Sequence, residues 1–152
     1  MDDLQTRRCV SDFLDAFYAG DTARLANCCH DDIDSITYAP IELFPHHGQH
    51  RGKAWAAEAI RTQQERYSSR RIEITFMAVD GAKAATMLQV ALQKRSDQRI
   101  LSFKIADFFT LRDGLVFEHR SFFDSFDLVQ QILGRDLTPD YASSVRLAMR
   151  PG

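Results

Sequence analysis

The sequence predicts an α+β fold in which N-terminal helices cover one face of a curved sheet. Three observations carry that expectation. Apolar residues near the N-terminus recur at helical spacing, and from Arg71 onward they alternate at strand spacing. Turn residues punctuate the alternating half at Asp80-Gly81 and at Arg112-Asp113-Gly114. Helices first and antiparallel strands after is the segregated order of α+β domains. Such a sheet, mixed or antiparallel, closes partway into a cone, and cavities favour mouths of that kind.

Each element follows from local pattern. Val10, Phe13, Leu14, Phe17 and Tyr18 form one helical stripe. Gly20 closes that helix in a left-handed conformation, and Asp21 caps a short second helix carrying Leu25, Ala26 and Cys29. Ile33 to Tyr38 reads as a short strand. Residues 39–52 hold Pro40, Pro45, Gly48, Gly52 and the histidines His46, His47 and His50, and read as a loop. Lys53 to Tyr67 predicts a third helix, with Trp55, Ala59, Ile60, Gln63 and Tyr67 on adjoining turns. Arg71 to Val79 alternates, with Ile72, Ile74 and Phe76 on one face. Strands follow at Ala84–Gln93, Ile100–Leu111 and Leu115–Phe123. Asp127 to Leu133 predicts a last helical segment, ended by Gly134. One domain over residues 1–134 and a C-terminal tail over 135–152 account for the 152 residues.

Composition excludes several classes. The chain is 45% hydrophobic with a net charge of -2, which argues against disorder. Seven Gly and four Pro exclude a collagen-like or low-complexity chain. A pI near 6.2 disfavours nucleic acid as a partner. No apolar run is long enough to span a membrane, and the first residues lack the apolar stretch of a signal peptide. The expectation is a cytoplasmic protein, with Cys9, Cys28 and Cys29 as reduced thiols. There is no CxxC pair, Gly-rich phosphate loop, nucleophile elbow or HExxH motif, and no metal is expected. His46, His47 and His50 fit a rim or hydrogen-bonding role.

The last hairpin carries the chemistry. Leu101, Phe103, Ile105, Phe109 and Leu111 share a face with Asp107, and Leu115, Phe117 and Phe123 share one with His119 and Ser121. A three-residue loop over Arg112-Asp113-Gly114 keeps those faces together, with Gly114 left-handed. That register sets Asp107 opposite His119 and Ile105 opposite Ser121. A carboxyl desolvated among Phe side chains is expected to have a raised pKa, as suits a general acid or an oxyanion donor. The same two residues could equally be an ion pair that fixes the hairpin. Phe13 and Phe17 of the first helix can lie against this face. Tyr38, His47, His50 and Trp55 complete the expected substrate-binding set. On the opposite face Ser102, Lys104, Thr110, Glu118 and Arg120 mix with Phe108, Val116 and Phe122, which suits a homodimer contact through the sheet.

At His47-Gly-Gln-His50-Arg-Gly52, at Gly114-Leu-Val-Phe-Glu-His-Arg-Ser-Phe-Phe-Asp124 and at Gln131-Ile-Leu-Gly134 the chain resembles the SnoaL-like polyketide cyclases. These belong to the nuclear transport factor 2-like superfamily, which includes the ketosteroid isomerases. The resemblance implies a cone-shaped, cystatin-like α+β barrel, an apolar pocket, no cofactor and a homodimer. It also shows departures. Ser121 stands where the cyclases carry an acid, and Asp107 where they carry a His. The steroid isomerases carry an Asp matching Asp107, but Phe13 replaces their helix-1 Tyr. Two functions are therefore expected as alternatives. One is a cofactor-independent cyclase or isomerase moving a proton on an apolar carbonyl substrate, with Asp107, His119 and Ser121 catalytic. The other is a non-catalytic module that binds a small apolar ligand or assembles as a dimer.

Overall fold

A computed structural model describes residues 2–152. Helix α1 (Asp3–Ala19) starts at a capping box, where Asp2 accepts from the Gln5 backbone and Gln5 answers, and ends at Gly20 with φ 76°. Asp21 caps α2 (Thr22–Cys28) through the Arg24 backbone N–H. Strand β1 (Cys29–Tyr38) follows directly, so Asp31 and Asp32 lie in a strand longer than expected. Part of the expected loop pairs with it as β2 (Gly48–Arg51). Then come α3 (Trp55–Arg66), β3 (Tyr67–Asp80), β4 (Lys83–Lys94), β5 (Ile100–Arg112), β6 (Leu115–Phe123) and α4 (Ser125–Leu133). The residues expected as a tail carry one more helix, α5 (Thr138–Ala148). The Leu137 N–H tethers it to the Gln130 side chain, and Phe126 meets Tyr141 edge-on.

The six strands form one curved, unclosed sheet in the order β2-β1-β6-β5-β4-β3. All neighbours are antiparallel except β1 and β6, which run parallel and make the sheet mixed. The helices α1, α2 and α3 cover its concave face. Val10, Phe13, Leu14, Leu25 and Ile60 meet Ile33, Leu88, Val90 and Leu101 in a single core. Cys29 belongs to it as a small apolar residue, and burial pushes its thiol up to about 12. Among the described residues, no helix is long and apolar enough to cross a membrane.

The β5–β6 hairpin differs from the expected register. The turn has two residues, Asp113 and Gly114, both left-handed at φ 54° and 75°, as a type I′ turn requires. Arg112 therefore faces Leu115, and Leu111 faces Val116. A bulge at Phe117 then moves the next pair to Thr110 and Glu118. Beyond it Phe109 faces His119, Asp107 faces Ser121 and Ile105 faces Phe123. The bulge also exchanges two side chains. Val116, expected on the outer face, is fully buried. Phe117, expected on the substrate face, lies instead under the Arg112 guanidinium, 3.7 Å from its ring centroid. A second bulge, between Ile74 and Phe76 on β3, does the same. Ile72 and Ile74 pack on the core, then Met77 and Val79 take over, and Phe76 is exposed.

The bulge sets which residue tolerates a polar side chain. Val116→Asn should cost about 3 kcal/mol or more, and Phe117→Asn about 1 kcal/mol, read from urea unfolding. The reverse order would place Phe117 in the core.

Candidate functional site

The bulged hairpin brings Asp107, His119 and Ser121 to the concave face, where all three are more than 90% buried. His119 Nε2 lies 2.8 Å from Asp107 Oδ1, although the two are diagonal neighbours and not directly paired. Its Nδ1 lies 3.0 Å from Ser35 Oγ. Ser35 comes from β1 and pairs with His119 across the parallel junction. The imidazole tautomer with its proton on Nε2 satisfies both contacts: Nε2–H donates to the carboxylate, and the Ser35 hydroxyl donates to Nδ1. Three rings hold the imidazole in place. Phe109 stacks at 5.1 Å, Phe13 sits at 5.2 Å and Trp55 at 6.1 Å. A buried imidazole and carboxyl are costly unless satisfied, and this chain satisfies them.

The chain forms part of the wall of a cavity of about 90 Å³ between the sheet and helices α1 and α3. Phe17, Trp55, Phe103, Ile105 and Phe123 line it, together with Asp107, His119, Ser121 and His47 from the expected set. Five expected residues lie elsewhere. Phe13 and Phe109 stand behind the wall, packed on His119. Tyr38 is exposed and stacks on Phe122 at 4.4 Å, because β1 turns its odd positions, Ile33, Ser35 and Thr37, inward. His50 is used by its own loop, where Nε2 reaches the carbonyls of His46 and His47 at 3.1 Å. Phe117 is the fifth, displaced by its bulge.

The cavity also has residues that sequence reasoning missed. Thr37 from β1, Tyr18 from α1, Phe44 and His46 from the β1–β2 loop, Gln63 from α3 and Leu128 from α4 all line it. Tyr18 lay on the same helical stripe as Phe17, which was the available signal. Burial, then the nearby Asp107 charge, pushes its phenol well above the ordinary tyrosine range, so it stays protonated. Burial lowers His47 to about 3 and His46 to about 4, with Arg66 and neighbouring histidines adding to it. Both are neutral at pH 7. No Lys or Arg is among the lining residues. Among the described residues, no group of three or more His, Cys, Asp or Glu is gathered as a metal site would require.

Residues 10–119 match a sequence profile described as a SnoaL-like domain. No protein of curated function matches the chain significantly. Among solved structures, a candidate isomerase from Rhodopseudomonas palustris is similar at 30% identity and a TM-score of 0.77, over 89% of this chain and 100% of that one. An NTF2-like protein from Burkholderia xenovorans LB400 shares the fold at 22% identity and a TM-score of 0.72, over 86% of this chain and 98% of that one. An LEH-like epoxide hydrolase from M. tuberculosis does so at 22% identity and a TM-score of 0.69, over 92% and 98%.

The depressed histidines make stability depend on pH. The folded protein holds His47 neutral down to about 3, whereas an unfolded imidazole takes a proton near 6.5. The stabilisation is therefore present above pH 6.5 and is lost as pH falls toward 3. Thermal melts should show Tm falling across that window, and falling less in His47→Phe. An identical decline in both proteins would mean that His47 does not contribute.

Proposed function

The chain belongs to the SnoaL-like domain family, and on that footing we propose that its cavity binds a small apolar carbonyl compound and moves a proton α to the carbonyl, without a cofactor. The observation that carries this reading is the buried Ser35–His119–Asp107 chain at the edge of an apolar cavity. A hairpin needs no such chain for its stability. One carboxylate oxygen of Asp107 is held by His119, and Oδ2 has no hydrogen bond among the described residues. Oδ2 is the base that takes the α-proton and later returns it. His119 fixes the direction of the carboxylate, and Ser35 fixes the tautomer of His119. Developing charge on the substrate oxygen needs a neutral donor in a dry site. Tyr18, protonated and beside Asp107, supplies one, and the Ser121 and Thr37 hydroxyls are further donors on the same wall. Ser121 takes the place of the family acid, so here the acid–base role falls to Asp107.

The outer face of the sheet favours a second reading of the same molecule, as a homodimer. Pairing aligns Phe76, Met87, Ala106, Phe122 and Tyr38 in one apolar row across five strands. Phe76, Phe108, Phe122 and Tyr38 are each more than 40% exposed. A second copy of this chain covers that row. Catalysis and dimerisation are compatible, since the cavity opens on the opposite face.

Acetophenone is a suitable probe of the chemistry, because exchange of its methyl protons in D₂O reports proton transfer directly by NMR. The wild type should accelerate exchange, and Asp107→Asn should remove about 10²–10⁴-fold of that acceleration. Equal rates in the two proteins would leave ligand binding without catalysis. Sedimentation should give twice the 17.4 kDa chain mass, with Phe122→Glu monomeric. A monomeric wild type would overturn the dimer.

A further inference from the structure

The same cavity holds two more polar atoms that nothing in the protein satisfies. His46 Nδ1 and Gln63 Oε1 are both buried, and neither has a hydrogen-bond partner. Both residues line the cavity. A buried polar atom without a partner costs about 1–3 kcal/mol, and native proteins carry few of them. Two on one cavity wall leave room for a polar ligand group to complete them.

They come from other elements than the Asp107 hairpin. Trp55 begins α3, and its ring lies 6.1 Å from that of His119. Gln63 is two turns further along the helix, or roughly 12 Å at 1.5 Å per residue. Arg66, at the C-terminal end of α3, is the charge that bears on both His46 and His47, so this loop packs toward the same end. Phe17, Phe103, Ile105 and Phe123 supply apolar lining beside these polar groups.

The chemistry of the two atoms specifies what they want. Gln63 Oε1 only accepts, so its partner must donate. His46 is neutral at pH 7, and its Nδ1 either donates or accepts according to tautomer. A hydroxyl is a small neutral group that donates to the amide oxygen while accepting a second hydrogen bond from the imidazole. A neutral group is favoured over an anion, against which the Arg66 charge is the nearest counterweight. No cation lines the cavity, the histidines are neutral, and the Asp107 carboxylate repels a second negative charge.

We propose that the substrate is an uncharged, ring-sized hydroxy ketone, held with its carbonyl at Asp107 and Tyr18 and its hydroxyl between Gln63 and His46. This rests on the proposed carbonyl-binding function and names the substrate class for the same site. Volume sets an upper limit on size: a dry cavity of roughly 150 Å³ takes benzene, and this one, about 90 Å³, is smaller, so a single ring is the most it holds.

Three acetophenones test it at pH 7 by isothermal titration calorimetry, with the single Trp of the chain, Trp55, as a second, fluorescent reporter in the cavity wall. 4′-Hydroxyacetophenone should bind about tenfold tighter than acetophenone, and 4-acetylbenzoate at least tenfold weaker than acetophenone. In Gln63→Leu the preference for the hydroxyl should disappear, and a cooperative thermal melt with a wild-type far-UV CD spectrum shows that the variant is folded. His46→Phe should reduce the same preference. Equal binding of the two neutral probes by the wild type, or a preference that survives in Gln63→Leu, would overturn the hydroxyl inference and leave the carbonyl-binding reading standing. Tight binding of the carboxylate would overturn the uncharged class. No binding of either neutral probe would sink the carbonyl-binding reading and this inference together.

Discussion

The arrangement of this site depends on phase. Side chains alternate along a strand with a period of two, so one extra residue sends every later side chain to the opposite face. The type I′ turn at Asp113-Gly114 pairs odd with even positions. Carried through, that parity would put His119 and Ser121 on one face and Asp107 on the other. The bulge at Phe117 restores odd with odd before the strand reaches His119. The buried hydrogen bond, the aromatic clamp on the imidazole and the polar wall of the cavity all follow from that single unpaired residue.

A fold of this kind separates support from contact. Phe13 and Phe109 press on the imidazole from behind, while Phe17, Phe103 and Phe123 form surface that a ligand would meet. Ser35 orients His119 in the same supporting sense. An aromatic-rich composition thus serves two ends. Some rings fix the geometry of the polar chain, and others keep the space beside it dry, where charge–dipole interactions are strong.

Much of this was legible in the sequence, and the limits have physical causes. Segregated periodicity showed the α+β order, and the alternation around Asp107 and His119 showed that both share an apolar face. The expected opposition of Asp107 and His119 was off by two residues, because a turn of two plus a bulge has the same parity as a turn of three. Parity decides the face, so the residues still meet, but as diagonal neighbours. Tyr38 was misassigned because a short strand taken from Ile33 does not say which parity faces in. Ser35 was out of reach for another reason. Its partner lies on a strand with no direct connection to its own, and no turn residue announces a parallel pairing. The orphaned atoms of His46 and Gln63 likewise become visible only when loop and helix are seen against each other.

The parallel junction between β1 and β6 has a consequence in time. Ser35 and His119 are 84 residues apart, and no local turn brings them together. Closing so long a segment costs chain entropy before its contacts repay it, and such pairings form late. On the ribosome, the first half of the chain emerges with a serine that has no imidazole to bind. The hairpin follows much later and closes the sheet against a strand made long before it. The site is thus among the last parts of the molecule to come into being. Until β6 docks, the protein has most of its helices and its main meander, but not the Ser35–His119–Asp107 chain.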